Sequence, residues 1–371
     1  MTTTTKLHTE TATEVSQDVF AQVEAMGHEQ VVFCNDPHTG LRAIIGIHNT
    51  TLGPALGGTR MWNYANEGEA LRDALRLSRG MTFKNAIAGL NIGGGKAVII
   101  GDSRKDKNEM LLRRYGKFVQ GLNGHYITAE DVGMNTDDME HIAQETDYAT
   151  GTHESEGGAG DPSPVTALGT YMGMKAAAQK AYGSDSLSGK KVAVQGVGHV
   201  GQYLIDHLIK ENCEVFITDI YEDQVQSVTQ KHAGIKVVAP DEIYDLDVDI
   251  YAPCALGATV NDQTLERLRC QIIAGCANNQ LDNEEAHGNR CLEKGIIYAP
   301  DFLINAGGVI NVYSEVFGKS REWVTRRTEK LYDMTLEVLE RSYAEKKNAQ
   351  QVAIEMAIQR IEAAAKLQAS L

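Results

Sequence analysis

A chain of 371 residues exceeds what one hydrophobic core commonly sustains, so two domains are expected, and 42% apolar with 23% charged residues is the balance of a soluble globular protein. With 35 Lys and Arg against 50 Asp and Glu the formal charge is −15, an acidic surface that repels a phosphate backbone and argues against a nucleic-acid partner. No run of about 18 apolar residues is present to cross a membrane, Met1-Thr2-Thr3-Thr4-Thr5-Lys6 lacks the apolar stretch of a signal peptide, and a cytoplasmic location is expected.

The Thr-rich start reads as a loose tail, with structure beginning near Val19-Phe20. Two runs rich in Val and Ile, Glu29 to Cys34 and Leu41 to Ile47, flank Asn35-Asp36-Pro37-His38-Thr39-Gly40 and predict a β-hairpin. Asn66 and Glu69 have capping-box spacing, and Leu71, Ala74, Leu75 and Ser78 recur at helical intervals after them, so a helix is expected to about Gly80. Lys96 to Ile100 reads as a buried strand leaving a glycine cluster, and Glu109 to Leu122 as another helix. Six cysteines (Cys34, Cys213, Cys254, Cys270, Cys276, Cys291) form no CxxC pair or Cys/His cluster at zinc spacing. Reduced core thiols and no metal site are therefore expected.

Between Gly151 and Pro164 the composition shifts to Gly, Ser, Glu and Pro, a linker or mobile loop. After a helix near Val165 to Ala181, apolar strands are predicted at Val192-Ala193-Val194, Val215-Phe216-Ile217, Ile235 to Val238, Asp249-Ile250-Tyr251, Ile272-Ile273-Ala274 and Ile296-Ile297-Tyr298. These strands, with mostly helical segments between them, fit a doubly wound parallel sheet. From Arg321 on, Glu, Lys, Ala and Leu dominate with almost no Gly or Pro, and the chain is expected to be helical.

A lone glycine motif says little; its context decides. Gly196-Val197-Gly198-His199-Val200-Gly201 follows the strand at Lys191 to Val194, opens an amphipathic segment (Val200, Leu204, Leu208) and precedes Asp219 at the end of the next strand. In such a loop Gly196 allows the tight turn, Gly198 lets the backbone approach a pyrophosphate, and Gly201 lets the helix pack on the strand. The helix start adds free N–H groups and a positive dipole end. Asp219 is placed to accept from the adenosine ribose hydroxyls and to repel a 2′-phosphate, and Ile220 rather than Arg follows it, so NAD is expected over NADP.

Gly93-Gly94-Gly95-Lys96 is not a phosphate loop, because Leu90 and Ala97 stand where that motif needs Gly and Ser or Thr. The glycines are expected instead to bring backbone close to a small ligand, with Lys96 projecting into the site and Lys84 nearby. Two converging lysines would repel, and the pKa of one would fall, fitting it to act as a base or electrophile. An isolated Lys is more often a solvated surface group, and Glu130-Asp131, taken alone, more often a solvated turn or helix cap.

Together these residues resemble the Glu/Leu/Phe/Val dehydrogenase family, in particular its leucine-using members. The resemblance runs from about Val31 to about Ser314 and is carried by Gly53-Pro54-Ala55-Leu56-Gly57-Gly58-Thr59-Arg60, Gly89 to Lys96, Ala129-Glu130-Asp131-Val132-Gly133, Pro253 to Ala258 and Asn305-Ala306-Gly307-Gly308-Val309-Ile310-Asn311. It implies that Lys84 holds a substrate carboxylate, Lys96 polarises the carbonyl and activates water, and Asp131 shuttles protons on the amino group. The implied reaction oxidises an amino acid through an iminium to a 2-oxo acid and ammonia, and runs in reverse as reductive amination. Leu56 and Val312 stand where glutamate-using relatives carry Lys and Ser or Thr, and with Met81, Ala129 and Val309 they imply an apolar pocket for leucine, valine or isoleucine. Gly57, Gly58 and Thr150 are implied on the substrate side, and Gln202, Thr166, Cys254, Ala255 and Asn278 on the cofactor side.

The expected fold is α/β, with an N-terminal substrate and oligomerisation domain over residues 1–150, to which a helix of about 350–371 returns. A Rossmann-type doubly wound NAD-binding domain is expected over 151–349, and an active-site cleft between the two. The segment Glu154 to Gly160 departs from the leucine-using pattern toward the phenylalanine and valine relatives, so preference for phenylalanine or valine is the alternative. A non-catalytic NAD(H)-binding sensor is a third reading, opposed by Lys84, Lys96 and Asp131. The resemblance also implies a homo-oligomer, often an octamer.

Overall fold

The computed structural model describes residues 18–153, 155, 157–255 and 257–370. The Thr-rich tail, Glu154, Glu156 and Leu256 lie outside them. The chain forms two compact units, Met1–Gly160 with Glu315–Gly318 and Ala357–Leu371, and Asp161–Ser314 with Lys319–Met356.

The first unit runs α1 (Val19–Met26), β1 (Gln30–Asp36), β2 (Leu41–Asn49), β3 (Ala55–Trp62), α2 (Glu67–Ile87), β4 (Gly93–Ile100), α3 (Glu109–Gly121), β5 (Tyr126–Glu130) and α4 (Thr136–Ala143). The predicted hairpin forms, with β1 antiparallel to β2. Its turn is closed by the Asp36 carboxylate, which accepts from the Thr39 N–H at 3.1 Å and hydroxyl at 2.8 Å, and by Gly40 at φ +75°. Asn66 caps α2 by accepting from the Glu69 N–H at 2.9 Å, while the Glu69 carboxylate turns back to the N–H of Ala65 rather than of Asn66.

Helix α2 does not stop near Gly80 but continues to Ile87. A glycine inside a helix costs only about 1 kcal/mol against Ala. Burial of Thr82, Phe83, Asn85, Ala86 and Ile87 beyond it outweighs that. The mixed sheet has the order β1-β2-β4-β3-β5, with β3 parallel to both β4 and β5. Strand β3 is not evident from periodicity, because Gly53, Pro54, Gly57 and Gly58 read as turn residues, and β5 is only five residues long.

The strand predicted from Lys96 begins at Gly93 and contains the glycine cluster. A Cβ on Gly94 would lie 2.1 Å from the Thr82 nitrogen of α2, and one on Gly95 2.8 Å from the Tyr126 ring. These two glycines therefore admit a helix and an aromatic ring, not a small ligand as expected from the sequence.

The second unit comprises α5 (Ser163–Tyr182), β6 (Lys191–Gln195), α6 (His199–Lys210), β7 (Glu214–Thr218), α7 (Glu222–Lys231), β8 (Lys236–Val237), β9 (Ile250–Pro253), α8 (Asp262–Arg267), β10 (Ile272–Ile273), α9 (Glu284–Glu293), β11 (Ile297–Tyr298), α10 (Asp301–Ile304), α11 (Gly307–Val316), α12 (Arg321–Glu329), α13 (Leu331–Glu345) and the start of α14 (Ala349–Ala369). Its sheet is parallel throughout, in the order β11-β10-β9-β6-β7-β8. This is the doubly wound plan, with its switch point between β6 and β9. Tyr251, Ile273, Leu265, Leu281 and Tyr298 belong to its core.

Glu315 accepts from the Gly151 N–H at 3.2 Å and the Ala159 N–H at 2.8 Å, so both ends of the Gly-rich segment attach within the first unit. From Ala357 onward α14 also belongs there, and Arg360 donates to the carbonyls of Ala86 and Leu90 at 3.0 and 2.7 Å. Five cysteines are buried and Cys254 is half-buried, all as free thiols. Burial pushes Cys34 up to about 11 and Cys291 to about 12. Among the described residues no helix is long and apolar enough to cross a membrane.

Two histidines lie buried behind α2, their rings 4.8 Å apart. His28 bonds the Ser78 hydroxyl at 2.7 Å, and His48 bonds the Thr82 hydroxyl at 2.8 Å and the Met26 carbonyl at 3.1 Å. Burial lowers their pKa values from the usual 6.5 to about 4 and about 3, so both are neutral when folded. An unfolded chain takes up these protons first, so the stability the neutral rings contribute is complete above pH 6.5 and is lost as pH falls toward 4. Denaturant titrations between pH 6.5 and 4 are expected to lose about 5 kcal/mol to this pair, and the paired substitution His28→Gln and His48→Gln is expected to flatten that part of the slope.

Candidate active site

Side-chain alternation puts Leu56, Gly58 and Arg60 of β3 on the sheet face that α2 covers, beside Gly94, Lys96 and Val98 of β4. Lys96 is only 5% exposed, and its Nζ lies 2.8 Å from Oδ1 of Asp131, the residue that follows β5. Oδ2 of the same carboxylate accepts from Nε of Arg60 at 2.9 Å. Burial alone would push the Asp131 carboxyl up, but the charges of Lys96 and Arg60 outweigh it and hold it at about 2.

The charge facing Lys96 is thus a carboxylate, and the expected mutual repulsion with Lys84 is not what sets its surroundings. Nor is Asp131 a cap, since Asn135 caps α4. Gly57 and Gly58 draw β3 against its neighbours. A Cβ at Gly57 would be 1.7 Å from the Gly95 carbonyl, and one at Gly58 would be 2.4 Å from the Glu130 carbonyl and 3.0 Å from Cβ of Asp131. Tyr126 fixes the same stretch by donating to the Gly57 carbonyl at 2.6 Å.

Leu56 and Ala129 are buried, and Met81 of α2 reaches to 3.3 Å from where a Gly57 Cβ would stand. Lys84 follows Met81 by one helical turn and is half-buried in the last turn of α2. Thr150 is buried; its N–H and hydroxyl both donate to the Thr128 carbonyl, at 2.9 and 3.0 Å. Arg60 was not singled out as a site residue from sequence. Its signal is its place two residues after Gly57-Gly58, which puts it level with an acid just past the neighbouring strand.

In the second unit the Gly196–Gly201 loop lies between β6 and α6, at the switch point. Gly196 has φ +101°, and a Cβ there would be 2.6 Å from that of Ala255, which follows β9. A Cβ on Gly201 would meet the Gly196 carbonyl at 2.3 Å, whereas one on Gly198 would meet nothing within 4 Å. Gly198 and His199 are exposed, Val200 is half-buried, and no side chain caps the start of α6. Open space in front of uncapped N–H groups fits a phosphate. Val197 is buried beneath the loop.

Asp219 accepts from the Val197 N–H at 2.8 Å and the Tyr221 N–H at 3.0 Å, one bond to each oxygen, and Ile220 beside it is 75% exposed. Gln202 donates to the Val197 carbonyl and to Gln224, which makes it a prop of the loop. The Cys254 N–H bonds the Gln195 carbonyl at 2.7 Å, tying the ends of β9 and β6 together. Asn278 is exposed and accepts from Asn305 at 2.8 Å. Thr166 on α5 lies against the first turn of α11, 3.1 Å from where a Gly308 Cβ would be, and Val309 and Val312 follow one turn apart on that helix.

Two family models match the chain. Residues 28–148 match "Glu/Leu/Phe/Val dehydrogenase, dimerisation domain", and 157–220 and 216–369 match "Glutamate/Leucine/Phenylalanine/Valine dehydrogenase". A leucine dehydrogenase of Thermoactinomyces intermedius is 58% identical over 87% of each chain. A phenylalanine dehydrogenase of Lysinibacillus sphaericus is 48% identical over 87% of this chain and 85% of its own. The crystal structure of L-tryptophan dehydrogenase from Nostoc punctiforme aligns with a TM-score of 0.83 and 45% identity, over 94% of this chain and 99% of that one. A mixed-sheet unit in which buried Lys96 pairs with Asp131, a Rossmann-type unit with a glycine-rich loop at its switch point, and these matches over most of the sequence together place the chain in the Glu/Leu/Phe/Val dehydrogenase family, as an amino-acid dehydrogenase.

Proposed function

We propose that this enzyme oxidatively deaminates L-leucine and other branched aliphatic amino acids, using NAD in preference to NADP, and catalyses the reverse reductive amination of the 2-oxo acids. The pair of buried Lys96 and half-buried Asp131, on the sheet that also carries the buried Leu56 and Ala129, carries this reading. The 58% identity to a leucine dehydrogenase supports the choice of substrate. We further propose a cytoplasmic homo-oligomer, octameric as the family resemblance implies, in keeping with the dimerisation-domain match over residues 28–148.

Lys84 binds the α-carboxylate. Asp131, ionised between two cations, accepts a proton from the substrate ammonium so that the amine nitrogen holds a free pair. Lys96 turns its ammonium from Asp131 toward the oxygen at Cα, polarising the carbonyl and orienting the water that displaces ammonia. As that ion pair loosens, the Asp131 carboxylate becomes a better base. The dinucleotide supplies the hydride acceptor. Gly196 to Gly201 would hold its pyrophosphate, and Asp219 the adenosine ribose, with Thr166, Cys254, Ala255 and Asn278 on the nicotinamide side. Apolar side chains at Leu56, Met81 and Ala129 of the first unit would offer a distal carboxylate no partner, which disfavours glutamate, and Val309 and Val312 are the substrate contacts we assign to the second unit.

In a panel read at 340 nm with NAD, kcat/KM for leucine, valine or isoleucine should exceed that for glutamate by at least about 100-fold. A clear preference for phenylalanine would instead assign the aromatic branch. Lys96→Ala should cut kcat by about 1,000-fold or more while the NAD dissociation constant stays within about twofold, because Lys96 belongs to the first unit and the loop to the second. Asp219→Ala should weaken NAD by about tenfold and NADP by less; an unchanged NAD/NADP ratio would remove Asp219 from the ribose site.

A further inference from the structure

The Asp131 carboxylate has two oxygens, and the roles proposed above use one of them. Oδ1 faces Lys96 at 2.8 Å, while Oδ2 is taken by Nε of Arg60 at 2.9 Å. Arg60 does not end there. Its Nη1 donates to Oδ2 of Asp73 on α2 at 2.9 Å, and that same oxygen accepts from the Tyr64 hydroxyl at 2.6 Å. Asp73 is anchored again by Arg76 at 3.2 Å through its other oxygen. We propose that Arg60 is a positioning residue for the reaction, pinning Oδ2 of Asp131 so that Oδ1 alone is presented to Lys96 and the amino nitrogen, with Asp73 and Tyr64 fixing Arg60 in turn. This rests on the proton-shuttle role proposed for Asp131.

Only a guanidinium does this work. Its fork lets two nitrogens of one side chain serve two carboxylates at fixed angles, which the single ammonium of a lysine cannot reproduce. Burial opposes the Arg60 charge, but Asp131 and Asp73 more than offset that and raise its pKa further. Its grip therefore does not titrate, and Lys96 is the partner that can leave. Other charged or titratable groups on the elements near Asp131, among the described residues, are Glu130 and Tyr126 of β5, Lys84 in the last turn of α2, and Lys107, which donates to the Gly133 carbonyl and pairs with Asp138 of α4. With Arg60 in place the Asp131 carboxylate stays ionised at working pH; without it, one of the two cations offsetting burial is gone and its proton affinity rises.

The test compares Arg60→Met, Arg60→Lys and Asp73→Asn with Asp131→Asn and the parent enzyme, in pH profiles of kcat and kcat/KM, with thermal melting as a folding check. Arg60→Met is expected to lower kcat about 10- to 100-fold and to move the acid limb of kcat/KM up by about one to two pH units. Arg60→Lys should return the limb toward the parent position while leaving kcat low, because charge is restored and the fork is not. Asp73→Asn, which keeps the Arg60 charge and loosens its anchor, should lower kcat with the limb in place, and this arm carries the test if Arg60→Met does not fold. An acid limb that stays put in Arg60→Met overturns the proposal whether or not the rate falls, since a merely structural role lowers rate and melting temperature without moving a titration. A parent-like kcat in Asp73→Asn also overturns it. Near-parent turnover in Asp131→Asn would sink the shuttle role itself; loss of turnover there, with Arg60→Met unchanged in rate and limb, sinks only the role of Arg60.

Discussion

An ammonium group that loses its water must recover the lost hydration energy from fixed charges, and Lys96, at 5% exposure, recovers it from Asp131. That carboxylate is itself largely desolvated and is shared with Arg60, which is shared with Asp73. Lys96, Asp131, Arg60 and Asp73 thus alternate in sign along a chain across β4, the end of β5, β3 and α2, and Arg76 on the surface of α2 closes its outer end. Removing Asp131 would leave the buried Lys96 charge without the carboxylate that faces it, which is destabilising. The sheet must bring three strands and a helix into register to build this chain, and most of the first unit can be understood as serving that end.

Close packing supplies the register. Gly57 and Gly58 let β3 lie against β4 and the end of β5, and Gly94 lets α2 press onto β4. Below this layer, the hydroxyl of Thr59 bonds those of Tyr115 and Thr128 at 2.7 and 2.6 Å, a polar contact buried within an otherwise apolar core. Arg360 of α14 caps the carbonyls at the end of α2, just beyond Lys84. A side chain added at any of these glycines would push neighbouring backbone apart, and at Gly58 it would also press on Asp131.

Elements with strong periodicity or local chemistry were legible in the sequence. The hairpin with its Pro and Gly turn, the Asn66 cap and the loop at Gly196 all follow from residue type and spacing over a few positions. What escaped depends on tertiary context. Strand β5 is short, and β3 is broken by glycines whose purpose is visible only when the neighbouring backbones are in place. The end of α2 was set too early because buried residues past Gly80 extend the helix across it. For the site, the glycine cluster pointed to Lys96 and the family resemblance gave Lys96 and Asp131 their roles, but their direct contact and the pairing of Arg60 need three strands aligned in register.

Asp219 carries a consequence for redesign of cofactor preference. Its carboxylate is spent twice on the backbone, holding the N–H of Val197 inside the glycine loop and that of Tyr221 after β7. In its proposed role Asp219 would face the adenosine sugar, while its carboxylate also struts the turn that would face the diphosphate. A change made only to remove its charge would slacken the diphosphate cradle as well. Exchange toward the phosphorylated dinucleotide therefore calls for a neutral acceptor at position 219, with the new positive charge introduced at the exposed neighbour Ile220.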